Sequence, residues 1–342
     1  MAQETRKRGW RDLSISVRIL IVLLIIVAAL IITVTGATAA DRNLPMPIPY
    51  TNETYAYHTV GRAAMLSDSS MASRLCVGDN NVDNAGVSLR SDSEHAALFS
   101  LDDHSVLYAK GMYEKIYPAS ITKIMTAILA LKYGNMDDTV TINWQDVSLE
   151  PGSQVVGFQI GDKVKMSELL HGLLIHSGND CAQAIARHVA GSMDKFVEMM
   201  NEEADELGCT GTHFMNPTGL HNENHYTTVY DIYLMLNEAI TNDTFVNVMQ
   251  VGVYDLQYEN AAGSEKHVTL DATDHYLTGE TDPPKNVTVL GGKTGTTDAA
   301  GNCLAIESQN AYGQPYISIV VGAKTKDALY TDMNSLLSLI NS

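Results

Sequence analysis

The sequence predicts an α+β domain, one antiparallel sheet with helices packed on it, preceded by an N-terminal transmembrane helix. Three observations carry that expectation. Strand-like runs lie near 96–110 and 287–323, with four helically spaced blocks between them. Residues 19–40, ILIVLLIIVAALIITVTGATAA, are 22 uncharged residues, enough to cross a hydrocarbon core of ~30 Å as a helix. The 342 residues are 45% apolar, which allows a sizeable core.

Residues 1–18 form a basic tail. Arg6, Lys7, Arg8, Arg11 and Arg18 face only Glu4 and Asp12, a net +3. Basic flanks stay in the cytoplasm, so the chain beyond residue 40 is expected outside the cell. The apolar run reads as an anchor, or as a long leader cleaved at the small-x-small site Ala37-Thr38-Ala39. With a formal charge of −18, the rest of the chain carries −21. That acidity gives solubility and argues against nucleic acid as a partner, because phosphate binding needs basic surface.

Residues 41–92 read as an extracellular linker, partly disordered. NLPMPIPY is an extended spacer, and SDSSMAS and GDNNVDNAG are loop-like. The catalytic domain is expected over 93–342. AALFSLDDHSVLYAK reads as a hairpin turning at DDHS. After Pro118, Ile121, Ile124, Met125, Ile128, Leu129 and Leu131 recur at helical spacing, and Gly134 closes the run. A second helical block spans 166–191 with a break at Ser177-Gly178-Asn179. A third spans 194–208. A turn, NPTGLH, precedes a fourth helix over 228–240 capped by Thr227 or Thr228. Residues 244–285 are mixed and turn-rich. Strands follow at Val287–Leu290, Cys303–Glu307 and Tyr316–Ala323, and a last helix runs from about Asp327 to Ile340.

Three short motifs carry chemistry. Ser120 and Lys123 lie three apart at a helix start, on one face, ~5–6 Å apart at Cβ. A serine hydroxyl is a weak nucleophile until a base takes its proton, and a lysine of lowered pKa can be that base. The helix start adds N–H donors for an oxyanion. Ser177-Gly178-Asn179 lies on an interhelical turn. Lys293-Thr294-Gly295 ends the run VLGGKTGTT. It contains Gly-Lys-Thr but is not a phosphate loop, since the required glycine five residues before Gly292 is Val287 and no helix follows. A strand glycine there lets a substrate backbone approach closely.

Each motif alone is commonplace. Together and in this order, 57 and 116 residues apart, they form the motif set of penicillin-binding proteins and serine β-lactamases. From about Ser93 to Ile340 the chain resembles the low-molecular-mass penicillin-binding proteins, serine-type D-Ala-D-Ala carboxypeptidases. YPASITKIMTAILAL, LLIHSGNDCAQAIA, MNEEADELGCTGTHFMNPTGLH, HYTTVYDI and GGKTGTTDAAGNCLA carry the resemblance.

The resemblance implies a penicillin-binding/β-lactamase-like transpeptidase fold. It implies that Ser120 attacks the carbonyl between the two terminal D-alanines of peptidoglycan stem peptides while Lys123 takes its proton. Ser177 and Lys293 relay a proton to the leaving amine, and Asn179 bonds the substrate amide. The N–H groups of Ser120 and Thr296 hold the oxyanion. Thr294 helps hold the terminal carboxylate beside Gly295. Water then hydrolyses the acyl-enzyme, with Lys123 as the expected base. β-Lactams are expected to acylate Ser120, and no cofactor or metal is implied.

The chain departs from the resemblance in three places. Only 47 residues follow Gly295, so the N-terminal segment is expected to replace the C-terminal anchor of many relatives. Thr296 stands where many carry histidine. Their carboxylate-binding arginine has no clear counterpart, and Lys324 is its stand-in.

Rival readings are a class A-like β-lactamase, with Glu150 as the carboxylate to weigh, and a membrane-tethered β-lactam sensor or non-catalytic wall-binding protein. The intact motif set argues against a dead site, and 18 residues leave little room for a cytoplasmic signalling segment. Cys76, Cys181, Cys209 and Cys303 match no zinc spacing, and Cys181, in an apolar helical run, reads as a buried free thiol. His171 and His176 do not form a His-Glu-x-x-His pair.

Overall fold

The computed structural model describes residues 75–87, 89 and 95–341. The expected basic tail, the membrane segment 19–40 and most of the linker lie outside them. Among the described residues no helix is long and apolar enough to cross a membrane.

The predicted sheet forms. β1 (His95–Ser100) and β2 (Ser105–Lys110) make the early hairpin; β7 (Val287–Thr297), β8 (Gly301–Asn310) and β9 (Pro315–Ala323) are the late strands. Their order is β2-β1-β9-β8-β7, every neighbour antiparallel, so β9 inserts beside β1 and β7 forms one edge. Alternation along the strands serves two cores. Ala96 and Leu98 face a cluster with Leu304, Ile306 and Val320, closed by Leu329, Met333 and Leu336 of the last helix, Lys326–Leu337. Ala97 and Phe99 face the opposite side and the other helices. There Phe99 stacks on Tyr233 with ring centroids 4.2 Å apart. Truncating so enclosed a ring to alanine costs on the order of 3–5 kcal/mol.

The helices on that side follow the predicted order. Helix α1 (Lys123–Tyr133) continues from a 3₁₀ turn, Ala119–Thr122. A short α2 (Trp144–Val147) is closed by a capping box between Asn143 and Asp146. α3 (Met166–Leu174) and α4 (Asn179–Ala190) flank the predicted break. α5 spans Met193–Glu206, α6 Val229–Ala239 and α7 Asp243–Met249. Of the two cap candidates, Thr228 accepts the Asp231 N–H at 3.0 Å, while the Thr227 hydroxyl bonds Thr212.

Three features differ from the sequence expectation. A second, four-stranded sheet forms: β3 (Thr139–Thr141) and β4 (Lys163–Lys165) lie between the first two helical blocks, where no strand was expected, and β5 (Val253–Glu259) and β6 (Glu265–Asp271) lie in the stretch expected to be mixed and turn-rich. Its strands escape pattern reading because β3 and β4 have three residues each, and β5 and β6 bury only Leu256 and Leu270. β7 runs seven residues past Leu290, its bulge beside Gly291 carrying the pairing through Lys293 to Thr297. Residues 75–87, assigned to the linker by composition, lie against the rest of the domain: Val82 bridges Ala109, and the N–H of buried Cys76 donates to the Tyr233 hydroxyl oxygen at 2.9 Å. All four cysteines are free and buried.

Candidate active site

The site forms where edge strand β7 meets the 3₁₀ turn before α1. Gly295 permits that approach: a Cβ there would come within 2.9 Å of Ser120 N and 3.0 Å of Pro118 O. From the other side Gly219, at φ +84°, lies so close to Ala119 that a Cβ would overlap its carbonyl. Ala119 and Ser177 are themselves non-glycine residues at positive φ, +47° and +63°. Each such residue costs about 1–2 kcal/mol, so surrounding structure is holding both motifs in place.

Between these elements lies a cleft of about 290 Å³ lined by Ser120, Ser177, Asn179, Thr294, Gly295 and Thr296 among others. Beneath it two buried lysines form two linked clusters. Lys123 Nζ lies 2.8 Å from each of Ser120 Oγ, Asn179 Oδ1 and the Thr218 carbonyl oxygen. Lys293 Nζ donates to Ser177 Oγ at 3.0 Å and to the Thr294 carbonyl at 2.9 Å.

The three oxygen partners of Lys123 fit either charge state. Two N–H groups satisfy Asn179 Oδ1 and the Thr218 carbonyl, which can only accept. Toward Ser120 Oγ a charged amine donates its third N–H, whereas a neutral amine turns its lone pair to the hydroxyl proton. Electrostatics favour the neutral state. Burial, and after it the Lys293 charge, drive Lys123 well below the ordinary lysine range. Burial lowers Lys293 to about 7, with the Asp274 carboxylate opposing.

Loops read as plain turns supply the supports. The NPTGL turn is wound around Asn216, whose Oδ1 accepts from Thr218 N, Thr218 Oγ1 and Gly219 N. That winding aims the Thr218 carbonyl at Lys123. A neutral His225 clamps the same loop to the nucleophile's turn. Its Nδ1 accepts from Met215 N at 3.1 Å, so Nε2–H faces Thr122 Oγ1 at 2.8 Å. Asp180, beside Asn179, accepts from Val156, Gly157 and Phe158 N–H and so holds the segment that brings Ser153 and Gln154 to the cleft. Sequence reading missed Asp180, Asn216 and His225. The only local signal was their position beside motif residues or in a turn.

The remaining expectations divide. Thr294 Oγ1 lies 2.5 Å from Thr273 Oγ1, and Thr296 Oγ1 donates to Asn302 Oδ1 at 3.2 Å. Lys324, the stand-in for a carboxylate-binding arginine, does not line the main cleft; it borders an adjoining hollow shared with Thr296, Thr297 and Asn302, whereas Lys326 lines the cleft. Glu150 is exposed and outside the cleft lining, which removes the structural basis for the β-lactamase rival. Among the described residues no group of His, Cys, Asp and Glu could hold a metal ion.

The family model described as D-alanyl-D-alanine carboxypeptidase matches residues 82–325. D-alanyl-D-alanine carboxypeptidase DacF of Bacillus subtilis is 32% identical over 241 residues, 69% of this chain and 59% of its own length. DacC of Escherichia coli is 34% identical over 236 residues, 66% of this chain and 55% of its own length. The chain thus spans somewhat over half of these relatives. The crystal structure of the Streptomyces K15 DD-transpeptidase superposes with a TM-score of 0.68 at 26% identity, covering 74% of this chain and 98% of that one.

Proposed function

This chain belongs to the D-alanyl-D-alanine carboxypeptidase family, and from that premise we propose that it hydrolyses the terminal D-Ala-D-Ala bond of peptidoglycan stem peptides through a Ser120 acyl-enzyme. One observation carries the reading: Ser120 Oγ is 2.8 Å from the buried Lys123 amine, at the mouth of a cleft whose far side holds the Lys293–Ser177 pair.

Neutral Lys123 takes the hydroxyl proton as Ser120 Oγ attacks the penultimate D-Ala carbonyl. The N–H groups of Ser120 and Thr296 hold the resulting oxyanion; one such donor typically contributes ~10²–10³ in rate. Asn179 and the β7 edge align the peptide, and Thr294 binds the terminal carboxylate. As the C–N bond breaks, Lys293 passes a proton through Ser177 to the leaving D-Ala amine. Once Lys123 has released its proton to solvent and Lys293 has regained one, Lys123 takes a proton from water as that water attacks the acyl carbon, and returns it to Ser120 Oγ as the ester bond breaks. β-Lactams enter by the same acylation and stay attached because their ring-opened leaving group does not depart.

We place this domain outside the cell, tethered through residues 19–40, because basic residues precede an apolar run of spanning length. The mass of membrane-extracted protein tells anchor from cleaved leader.

The test of function is D-Ala release. A peptide ending in D-Ala-D-Ala should lose D-Ala and one ending in L-Ala should not, while benzylpenicillin adds its mass to wild type and not to Ser120→Ala. Equal release from both peptides, or an adduct on the alanine variant, overturns the proposal.

A further inference from the structure

Asp274 is a buried acid that the mechanism above does not use. It is 3% exposed, and its Oδ2 is enclosed without a hydrogen-bond partner. Its Oδ1 accepts from Tyr276 N at 3.0 Å, capping the four-residue helix α8 (His275–Thr278), and from Tyr330 OH at 3.3 Å. A cap does not require a charge, since asparagine or serine caps as well. Burying a carboxylate with one oxygen unpaired is costly unless a nearby positive charge offsets it.

Two contacts of Thr273 tie Asp274 to the segment before Ser177 and to the strand that carries Lys293. Thr273 N–H donates to the Ile175 carbonyl at 3.1 Å, two residues before Ser177. The Thr273 hydroxyl meets Thr294 Oγ1, one residue after Lys293. The Thr273–Asp274 step therefore joins the second motif to the third. On its far side the Tyr330 ring lines the cleft, and its oxygen accepts the His275 N–H at 2.8 Å. The two hydrogen bonds of Lys293 go to a hydroxyl and a carbonyl, both uncharged.

We propose that Asp274 is a positioning residue of the active site: its carboxylate, set behind Lys293 by the Thr273–Thr294 contact, keeps that amine protonated and directed at Ser177. This rests on the acyl-enzyme reading above and assigns the source of the proton-donating state of Lys293. The attraction acts both ways: burial raises the Asp274 carboxyl to about 6, against the lowering pull of the Tyr276 N–H, the Tyr330 hydroxyl and the Lys293 charge. The other titratable groups at this place are Tyr276 and Tyr330, both held neutral by burial, and Lys123, whose charge state is coupled to Lys293. His275 stacks on Tyr330 and pairs with Glu280 at the surface.

The test is the pH profile of Ser120 acylation by fluorescent penicillin in wild type, Asp274→Asn and Asp274→Ser. Both variants keep a capping side chain and remove the charge. Lys293 should then lose its proton more readily, and the alkaline limb should move down by about 1 pH unit or more, the size of an opposite charge's effect at close range. In a Lys293→Arg background, where the cation cannot deprotonate, Asp274→Asn should leave that limb unmoved. A purely structural cap predicts superimposable profiles with only a lower melting temperature, and that result overturns the proposal. If wild type itself takes no label, the acyl-enzyme reading fails instead.

Discussion

Lys123 Nζ and Ser120 Oγ stand 2.8 Å apart, and the lysine has no exposed surface. A charged amine so placed is poorly solvated, so the pair is poised to exchange a proton when a carbonyl arrives. Replacing Lys123 with alanine should lower the penicillin acylation rate by ~10²–10⁴, the usual contribution of a positioned base. Circular dichroism should still report a folded domain. Normal labelling of a folded Lys123→Ala protein would remove the lysine as base.

The two lysines need opposite states. The proposed acylation requires Lys123 neutral and Lys293 protonated, so the rate should rise with pH as Lys123 loses its proton. It should fall as Lys293, lowered to about 7, loses its own. The limbs are apparent constants of a coupled pair. Stopped-flow acylation between pH 5 and 10 should therefore give a bell; a flat profile across that range contradicts the assignment of both roles.

The Lys293 shift also has a stability consequence. Its folded pKa lies below the unfolded lysine value of 10.5, so the unfolded chain binds more protons between about pH 7 and 10.5. Stability contributed by this group is thus lowest near and below pH 7 and grows as pH rises through that window. Melting curves of wild type and Lys293→Met should show the variant's advantage shrinking from pH 7 to 9.5. An advantage independent of pH would show that Lys293 is not buried at a cost.

Gly295 should tolerate no side chain. A methyl group meets backbone at Ser120 N and Pro118 O, so β7 or the nucleophile's turn must move. Gly295→Ala should lower acylation by about 10²-fold, as misplacement near 1 Å does. Because the strand keeps its β8 pairing through Cys303, thermal stability should change far less. Acylation at the wild-type rate would contradict the close approach.

His225 should give the domain an acid weakness. Burial, with the nearby His213 and His221, lowers it to about 4, below its unfolded value near 6.5, and a second ring proton would also confront the Met215 N–H. Its contribution is fully present above pH 6.5 and is lost as pH falls toward 4. His225→Gln keeps a donor and an acceptor without titrating there. The wild-type melting temperature should therefore fall toward the variant's on acidification. The comparison isolates this group, since buried Asp231, Asp274 and Glu307 have raised values and act alike in both proteins. A constant difference from pH 7 to 4.5 would count against it.

Much of this molecule was legible locally. Ile124, Met125, Ile128 and Leu129 recur with the helix period, although the helix is enclosed on all sides from Lys123 to Ala130. The runs of β1 and β9 are almost continuously apolar because both faces of the sheet are covered. The motif order singled out Ser120, Lys123, Ser177 and Lys293, which the structure brings together at one cleft. The small sheet was not legible, because β5 and β6 each place a single side chain in the core. The supports at Asn216, His225 and Asp180 were hidden for another reason: their partners lie in other segments, and a turn residue carries no mark of what it aims.

By itself the sequence determined the strands of the larger sheet, the long helices and their order, since side-chain periodicity is a local property, and it supplied the candidate reactive groups. Only the tertiary structure decided the proton states. It brought Lys123 within reach of Ser120, Asn179 and Thr218 and set Lys293 against Ser177. A lysine's affinity for its proton depends on the water it has lost and the charges brought near, and both are set by contacts between residues distant in the chain.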